Sequence, residues 1–554
     1  MHLENETYLN SVVIHITIYC LLLIRMTSVI LIQTLIALIS FIVYWQLLRK
    51  PKKNLPPGPK RVPLIGNIFD LPPDGTPDFV HWRSITDKYG PIASITFMGQ
   101  PLILIASKED ALEILEKKCS TSSTRPNFEF GNYAGFGGIV SIIKHGKEFK
   151  FHRKLMHKGL GTKLLVSKYA DTQELHAGLL VQDTLKTPEN VIKHLENHAN
   201  AVMLKLLYGY NINPHGDDPL IQLNDRVNIK FFQAVDAFGR LVEYLPGMKR
   251  LPDGFPGTKF KADAGEHYAH VQAWGEEPYR FTRKQMANDK GMDSYVAKLV
   301  REYIGDTKEP NEADEHAIIW SAAGLQVGGA ETTVTTITGF ILGAIMFPEV
   351  QRKAQEEVDR VTGGTRMPII ADREQMPFIN AIVSEALRWF PIIPMGFPHA
   401  LSEDTSYKGY DLPKGSYLVW ANWDFCHDPS VYKDPYKFDP ERFLEPRNEP
   451  NPKWTVFGFG RRICPGRHLA DTALFLNIAS LVAFFDFTKK VDEQGNVLEP
   501  KLAFDPVRSA VSKPAAFPFK VTPRSERHVE LLKALEKNYV VEESDARLLG
   551  ELPS

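Results

Sequence analysis

The chain has 554 residues, with 65 Lys+Arg against 66 Asp+Glu and a formal net charge of −1. That balance leaves no basic excess to argue for nucleic acid as a partner. Four cysteines, Cys20, Cys119, Cys426 and Cys464, are too scattered for a disulfide framework and suit a catalytic body on the reducing, cytosolic side. Length alone favours three or four domains, and no internal repeat or long low-complexity tract divides the chain.

Two apolar runs open it. Ser28–Leu48 carries no charge and as a helix measures about 31 Å, the thickness of a bilayer core. Ser11–Ile24 reaches only about 21 Å, and Arg25 between the two runs costs roughly 2.5–3.5 kcal/mol to insert. One span over 28–48 is therefore expected. A cleaved signal peptide is the rival, but the run is long and no small-residue cleavage site follows. Arg49, Lys50, Lys52 and Lys53 follow the span and Glu4 and Glu6 precede it, which places everything after residue 49 in the cytosol. Asn5-Glu6-Thr7 is a glycosylation pattern of little weight by itself.

Lys52 to Pro59, with Pro56-Pro57-Gly58-Pro59, reads as a stiff basic linker. Ile92–Phe97 and Leu102–Ala106, separated by Gly99-Gln100-Pro101, read as a β-hairpin, and a helix is expected after Ser107. Asn127–Val140 is a glycine- and aromatic-rich loop without phosphate-loop spacing. His145, His152 and His157 invite a metal reading, but none stand four apart, so a solvated basic helix is expected there. From about Leu165 to Lys308 the pattern is helical, interrupted by the glycyl-prolyl stretch Leu241–Gly257.

Ala317–Phe347 is apolar nearly all round, the mark of a buried helix. Gly328-Gly329 and the β-branched run Thr332–Thr338 conflict with that helix, and such conflicts mark functional sites. A carboxylate and hydroxyl there, Glu331 and Thr332, are capable of proton transfer; a surface Glu beside a capping Thr is the alternative. Phe378–Trp389 is helical, with Glu385 and Arg388 three apart on one face. Pro391–His399 reads as an extended segment, Leu412–Trp420 as one hairpin, and Lys501–Thr522 as a second whose tip is Arg508–Ser512. Residues 526–554 read as a charged helical tail.

The most informative stretch is Phe457-Gly458-Phe459-Gly460-Arg461-Arg462-Ile463-Cys464-Pro465-Gly466. Its glycines allow a flat partner close to the backbone, and the arginine pair favours the metal-ligating thiolate of Cys464. A buried structural thiol is the commoner fate of a lone cysteine. Zinc is disfavoured because no C-x-x-C exists, and covalent c-type haem is excluded because Cys464 begins C-x-x-x-H, ending at His468, and not C-x-x-C-H.

This stretch matches F-x-x-G-x-R-x-C-x-G at Phe457, Gly460, Arg462, Cys464 and Gly466, and so resembles the signature of the cytochrome P-450, or haem-thiolate, superfamily. The resemblance implies that Cys464 is the axial ligand of a haem b iron, with Phe457, Gly458, Arg462 and Gly466 also contacting the haem and Arg462 pairing with a propionate. It implies that Gly328-Gly329-Ala330-Glu331-Thr332-Thr333 is the oxygen-activation segment, with Glu331 and Thr332 as proton carriers. Arg153 matches the arginine of the family's W-x-x-x-R, while Phe149 replaces the tryptophan and has no hydrogen-bond donor. His399 matches a position that offers a propionate partner, a surface histidine being equally compatible. Pro440-Glu441-Arg442-Phe443 matches the family's P-E-R-F and implies a buried structural cluster of Glu385, Arg388 and Arg442. Lys150 and Lys154 would face an acidic electron-transfer partner.

The implied fold is mainly α with a small β-rich lobe, preceded by one N-terminal transmembrane helix. The implied organisation is an extension over 1–27, an anchor over 28–48, a linker over 49–63, one haem-thiolate domain over 64–525 and a tail over 526–554. Anchored relatives usually begin near Met26, so residues 1–25 read as an alternative or misassigned start. The implied function is insertion of one oxygen atom from O2 into an apolar small molecule, with electrons from NADPH through a reductase, at the endoplasmic reticulum membrane. Its style is that of fungal secondary metabolism. A reductase-independent isomerase or dehydratase acting on a peroxide, and a non-catalytic membrane-anchored binder, are the alternatives.

Overall fold

The structure is a computed structural model and describes residues 31, 33–42, 44, 54–63, 65–73, 75–213, 218–235, 240–288, 293–305, 311–505, 511–540 and 542–553. Of the expected anchor, it describes an apolar helix over Gln33–Ile42, with Leu35, Ile36, Leu38 and Phe41 exposed. The glycosylation pattern and the suspected start at Met26 lie outside the described residues. Among those residues, only Glu312–Met346 is long and apolar enough to cross a membrane, and most of its apolar stretch is buried in the body.

The body is built of helices. We label α1 Asp78–Tyr89, α2 Lys147–Leu160, α3 Ala170–Lys186, α4 Val191–Tyr208 and α5 Lys259–Ala287. After these come α6 Glu312–Gly329, α7 Glu331–Met346, α8 Pro377–Trp389, α9 Arg467–Phe484 and α10 Glu526–Leu535. The α6–α7 pair runs through the centre. Asn311 caps α6 by accepting from the Ala313 N–H, and Glu312, Asp314 and Glu315 in the first turn complement the helix dipole. Ile341 of α7, Ile382 of α8, Leu481 of α9 and Leu180 of α3 meet in the largest core cluster.

The sheet lobe has four strands in the order β1-β2-β6-β3. Here β1 is Ile92–Phe97, β2 Gln100–Ile105, β3 His399–Ala400, β4 Thr405–Tyr407, β5 Tyr410–Leu412 and β6 Tyr417–Trp420. The β1–β2 hairpin forms where expected, turning on Met98 and Gly99, both at positive φ. The expected Leu412–Trp420 hairpin does not form. Leu412 pairs back with Thr405 in a separate β4–β5 ribbon, while β6 runs parallel to β2, Leu102 opposite Tyr417. A parallel partner needs a long crossover and leaves no trace in local spacing.

The second expected hairpin is also redrawn. Strand β8 (Phe519–Pro523) pairs with β7 (Phe485–Lys489), and among the described residues the bridge between Phe504 and Pro514 closes the 501–522 segment on itself. Most of its tip lies outside the described residues. The Asn127–Val140 stretch contains a short helix over Glu129–Tyr133, and Phe128, Phe130 and Phe136 are fully buried. They are core residues. The basic segment begins its helix at Lys147, but His152 is fully buried, so that helix is solvated on one face only. The tail is helical only as α10 and short turns. It straps the body: Asn211 and Asp545 exchange contacts at 2.9 and 3.0 Å, Lys205 pairs with Glu542 at 2.6 Å, and Leu549 and Leu552 pack on the core.

Glu385, Arg388 and Arg442 are all fully buried. The Arg388 Nε and Nη2 donate to the two Glu385 oxygens at 2.7 Å each, and the Arg442 Nε donates to the same carboxylate at 3.1 Å. Their remaining donors reach Glu449, Cys426 O and Pro435 O. Removing the shared carboxylate leaves the buried Arg388 uncompensated and Arg442 with Glu449 alone. Glu385→Ala should therefore lower stability by about 3–5 kcal/mol, read as a fall in the thermal midpoint of the loaded protein. Glu441→Ala, which breaks only the exposed pair with Lys353, should move it by less than about 1 kcal/mol.

Candidate active site

The cysteine loop enters from the short helix Lys453–Val456 and leaves into α9. Gly460 sits at φ +55°, where a Cβ would lie 2.6 Å from the Leu115 carbonyl oxygen, so the sharp reversal requires glycine. The Cys464 N–H donates to Phe457 O at 2.8 Å and closes the loop. Phe457, Gly458, Arg462, Cys464 and Gly466 all line one deep cavity, together with His399 and Thr332. Arg153 and Glu331 are not among its wall residues, and Glu385, Arg388 and Arg442 lie in the core.

Burial pushes the Cys464 thiol up, against the Gly466 N–H, the Arg153 and Arg467 charges and the Arg467 N–H, which favour thiolate. The adjacent arginine pair does not supply that charge. Arg461 is turned outward against His145, and the Arg462 guanidinium donates to the carbonyls of Ser123, Val140 and Ile143 at 2.6–2.8 Å.

Beside the loop, positive charge accumulates without compensation. Burial and then Arg153 push Arg462 down to about 9. Burial and then Arg462 lower Arg125, and burial followed by both arginines holds His399 far below its usual range. Among the described residues, no carboxylate pairs with Arg125, Arg153 or Arg462. His399 is 1% exposed and shares a hydrogen bond with Ser122 O at 2.8 Å, which rules out a surface histidine. Arg125 is a site residue that sequence reasoning missed. It lines the cavity, donates to Phe397 O and Pro398 O, and leaves its buried Nε without a partner. No motif surrounds it, so only the fold brings it here.

Phe149 takes a part that its lack of a donor had concealed. It is buried, and the Arg462 guanidinium carbon stands 3.7 Å from its ring centroid, a cation–π contact in a desolvated place.

The wall contributed by α6 and α7 breaks at Ala330. Thr332 Oγ1 donates to Gly328 O at 2.5 Å and Thr333 Oγ1 to Gly329 O at 3.0 Å. Thr335, Thr336 and Thr338 bond the carbonyls four residues back in the same way. These bonds let a β-branched run remain helical and bend it. Glu331 pairs with Lys513 at 2.5 Å through one oxygen, while its other oxygen is buried without a partner. At another part of the wall His176 and His198 approach Nδ1 to Nδ1 at 3.5 Å, and His198 bonds Asp183 at 2.9 Å, a polar chain that no sequence pattern announced.

These features fit a haem. Gly328 and Gly466 both line the cavity, and a Cβ on either would meet nothing within 4 Å, so a flat group can lie against bare backbone. A half-buried thiol faces the same space as unpaired guanidiniums suited to carboxylate side arms. A mainly helical body with a cysteine loop and a broken central helix on one cavity defines a haem-thiolate protein. The chain belongs to the cytochrome P450 family, whose model matches residues 56–511. It is 42% identical to the cytochrome P450 monooxygenase CLM2 of Gibberella zeae over 94% of this chain and 98% of that one. It is 38% identical to the multifunctional cytochrome P450 monooxygenase af510 of Aspergillus fumigatus, over 93% and 96%. It is also 36% identical to an O-methylsterigmatocystin oxidoreductase of Aspergillus flavus, over 89% and 92%. The protein is a monooxygenase oxidoreductase of that family.

Phe149→Leu removes the ring beneath Arg462, a contact worth about 0.5–2 kcal/mol. Haem transfer to an apo-globin acceptor should then quicken by up to about 30-fold, while Phe149→Trp, the best cation–π partner, should keep the wild-type rate or slow it. Equal rates in all three proteins would mean that the ring is mere packing.

Proposed function

We propose that this chain inserts one oxygen atom from O2 into an apolar small molecule of fungal secondary metabolism, with NADPH electrons delivered by a membrane reductase. The observation that carries the reading is the single cavity shared by Cys464 and the Gly328–Thr332 helix break. When bound, the haem supplies electron-accepting and O2-activating chemistry that thiolate ligation biases toward O–O cleavage.

The chain's own residues supply the rest. Cys464 would hold the iron, Arg462, Arg125 and His399 would meet the acidic side arms of the macrocycle, and Arg153, outside the cavity wall, would add its charge. Thr332 holds a proton at Oγ1 beside the cavity, and Glu331, held by Lys513, exchanges protons with solvent behind it. Leu325, Val327, Ile393, Phe397 and Val511, which line the same cavity, exclude water and favour hydrocarbon. The catalytic domain is assigned to 64–525. An anchor over 28–48 is supported by the exposed apolar helix Gln33–Ile42 and by the basic residues that follow, and places the domain on the cytosolic side of the endoplasmic reticulum.

Cys464→Ser should abolish the thiolate-type absorption shift of the reduced, CO-bound protein, and a normal shift would refute the ligand assignment. In membranes co-expressing a reductase, Thr332→Ala should retain that shift but convert NADPH mainly to hydrogen peroxide, with product per NADPH falling several-fold. Unchanged coupling would remove Thr332 from the proton path.

A further inference from the structure

Away from the haem cavity, α2 and α6 bring a second set of donors together. Glu148 and His152 stand four apart on α2, hence on one face of that helix, and His316 lies on α6. Each offers one ligand atom, and the three atoms all lie within 4.8 Å of one another. His152 is fully buried, and neither of its ring nitrogens has a hydrogen-bond partner. An imidazole buried with both nitrogens unsatisfied is an exception that calls for a missing partner.

A second cavity supplies the way in. Glu148 and His316 line it, together with Glu276, Glu312 and Glu315. Glu315 accepts from the Tyr279 hydroxyl at 2.7 Å, whereas Glu312 stands one helical turn before His316. The cavity wall is therefore acidic and includes His316, and the buried His152 has a ring nitrogen within 4.8 Å of the donors of Glu148 and His316.

We propose that Glu148, His152 and His316 form a site for a divalent transition cation of the zinc type, distinct from the haem centre. Two imidazoles and one carboxylate are the donor set of such ions, whereas Ca2+ and Mg2+ take oxygen ligands. Ligand bonds of about 2.0–2.2 Å put neighbouring donors roughly 3.3 Å apart, so side-chain rotation within the cluster closes it around the ion. The fourth position is open to water or to Glu312. The ion would tie α2, which carries Arg153 at the next position, to α6, which carries Gly328.

The test uses the haem-loaded full chain without an oligohistidine tag, titrated with Zn2+ in competition with a chromophoric chelator. One Zn2+ per haem is expected, undisturbed by excess Ca2+ or Mg2+. His316→Ala and Glu148→Gln, both at exposed positions, should each weaken binding at least tenfold while the CO-bound absorption stays as in the wild type. X-ray absorption at the zinc edge should show nitrogen and oxygen ligands only. Failure to bind, equal affinity in His316→Ala, displacement by Ca2+, or sulfur in the ligand shell would each overturn the site.

Discussion

The arrangement depends first on the buried guanidinium of Arg462. It binds three backbone carbonyls, at Ser123, Val140 and Ile143, and lies over the ring of Phe149. A charge moved out of water must find such partners or be strongly destabilising. One side chain thereby fastens the cysteine loop to two segments more than 300 positions earlier in the chain. Hydrogen bonds to neutral carbonyls satisfy donors without cancelling charge. The guanidinium keeps its field, as do Arg125 and Arg153 near it, and this part of the cavity stays electrostatically prepared for an anion.

The second constraint is the Glu385–Arg388–Arg442 cluster, which handles buried charge in the opposite way. There one carboxylate compensates two cations, and a second carboxylate, Glu449, takes part of the remainder. The compensated cluster lies in the core and the uncompensated one faces a cavity. That contrast separates a structural role from a binding role without reference to any motif.

The cysteine loop, the glycine break and the P-E-R-F arginine were legible because each is local, with residue types at fixed spacing that chemistry demands. Helix α2 was legible as a basic helix, the α6–α7 pair as a stretch apolar nearly all round, and α8 as a helix with Glu385 and Arg388 on one face. Arg125 was not, because its partner Phe397 lies 272 positions away and nothing in its neighbourhood distinguishes it. The hairpin at Leu412–Trp420 failed for the same reason, since the true partner of β6 is the distant β2. His152 was read as solvated because it sits among lysines; only the packing of α6 against α2 reveals that its face points inward. Phe149 was judged by the donor it lacks, whereas its ring face is what the fold uses. The anchor is read from hydropathy and flanking charge, together with the exposed apolar helix Gln33–Ile42.

The parallel pairing of β2 with β6 has a consequence for how the molecule is assembled. Gln100 donates to Gly415, 315 positions further along the chain, and a loop of that size closes slowly and late. The sheet edge that carries His399 pairs with β6, and the loop that carries Cys464 follows β6 in the chain. A prosthetic group that meets both regions therefore has no complete site on a partly made chain. It binds the finished topology in preference to anything earlier, and by mass action draws a slowly folding ensemble toward the native state. Supply of the cofactor during synthesis thus bears on the yield of folded protein as well as on its activity.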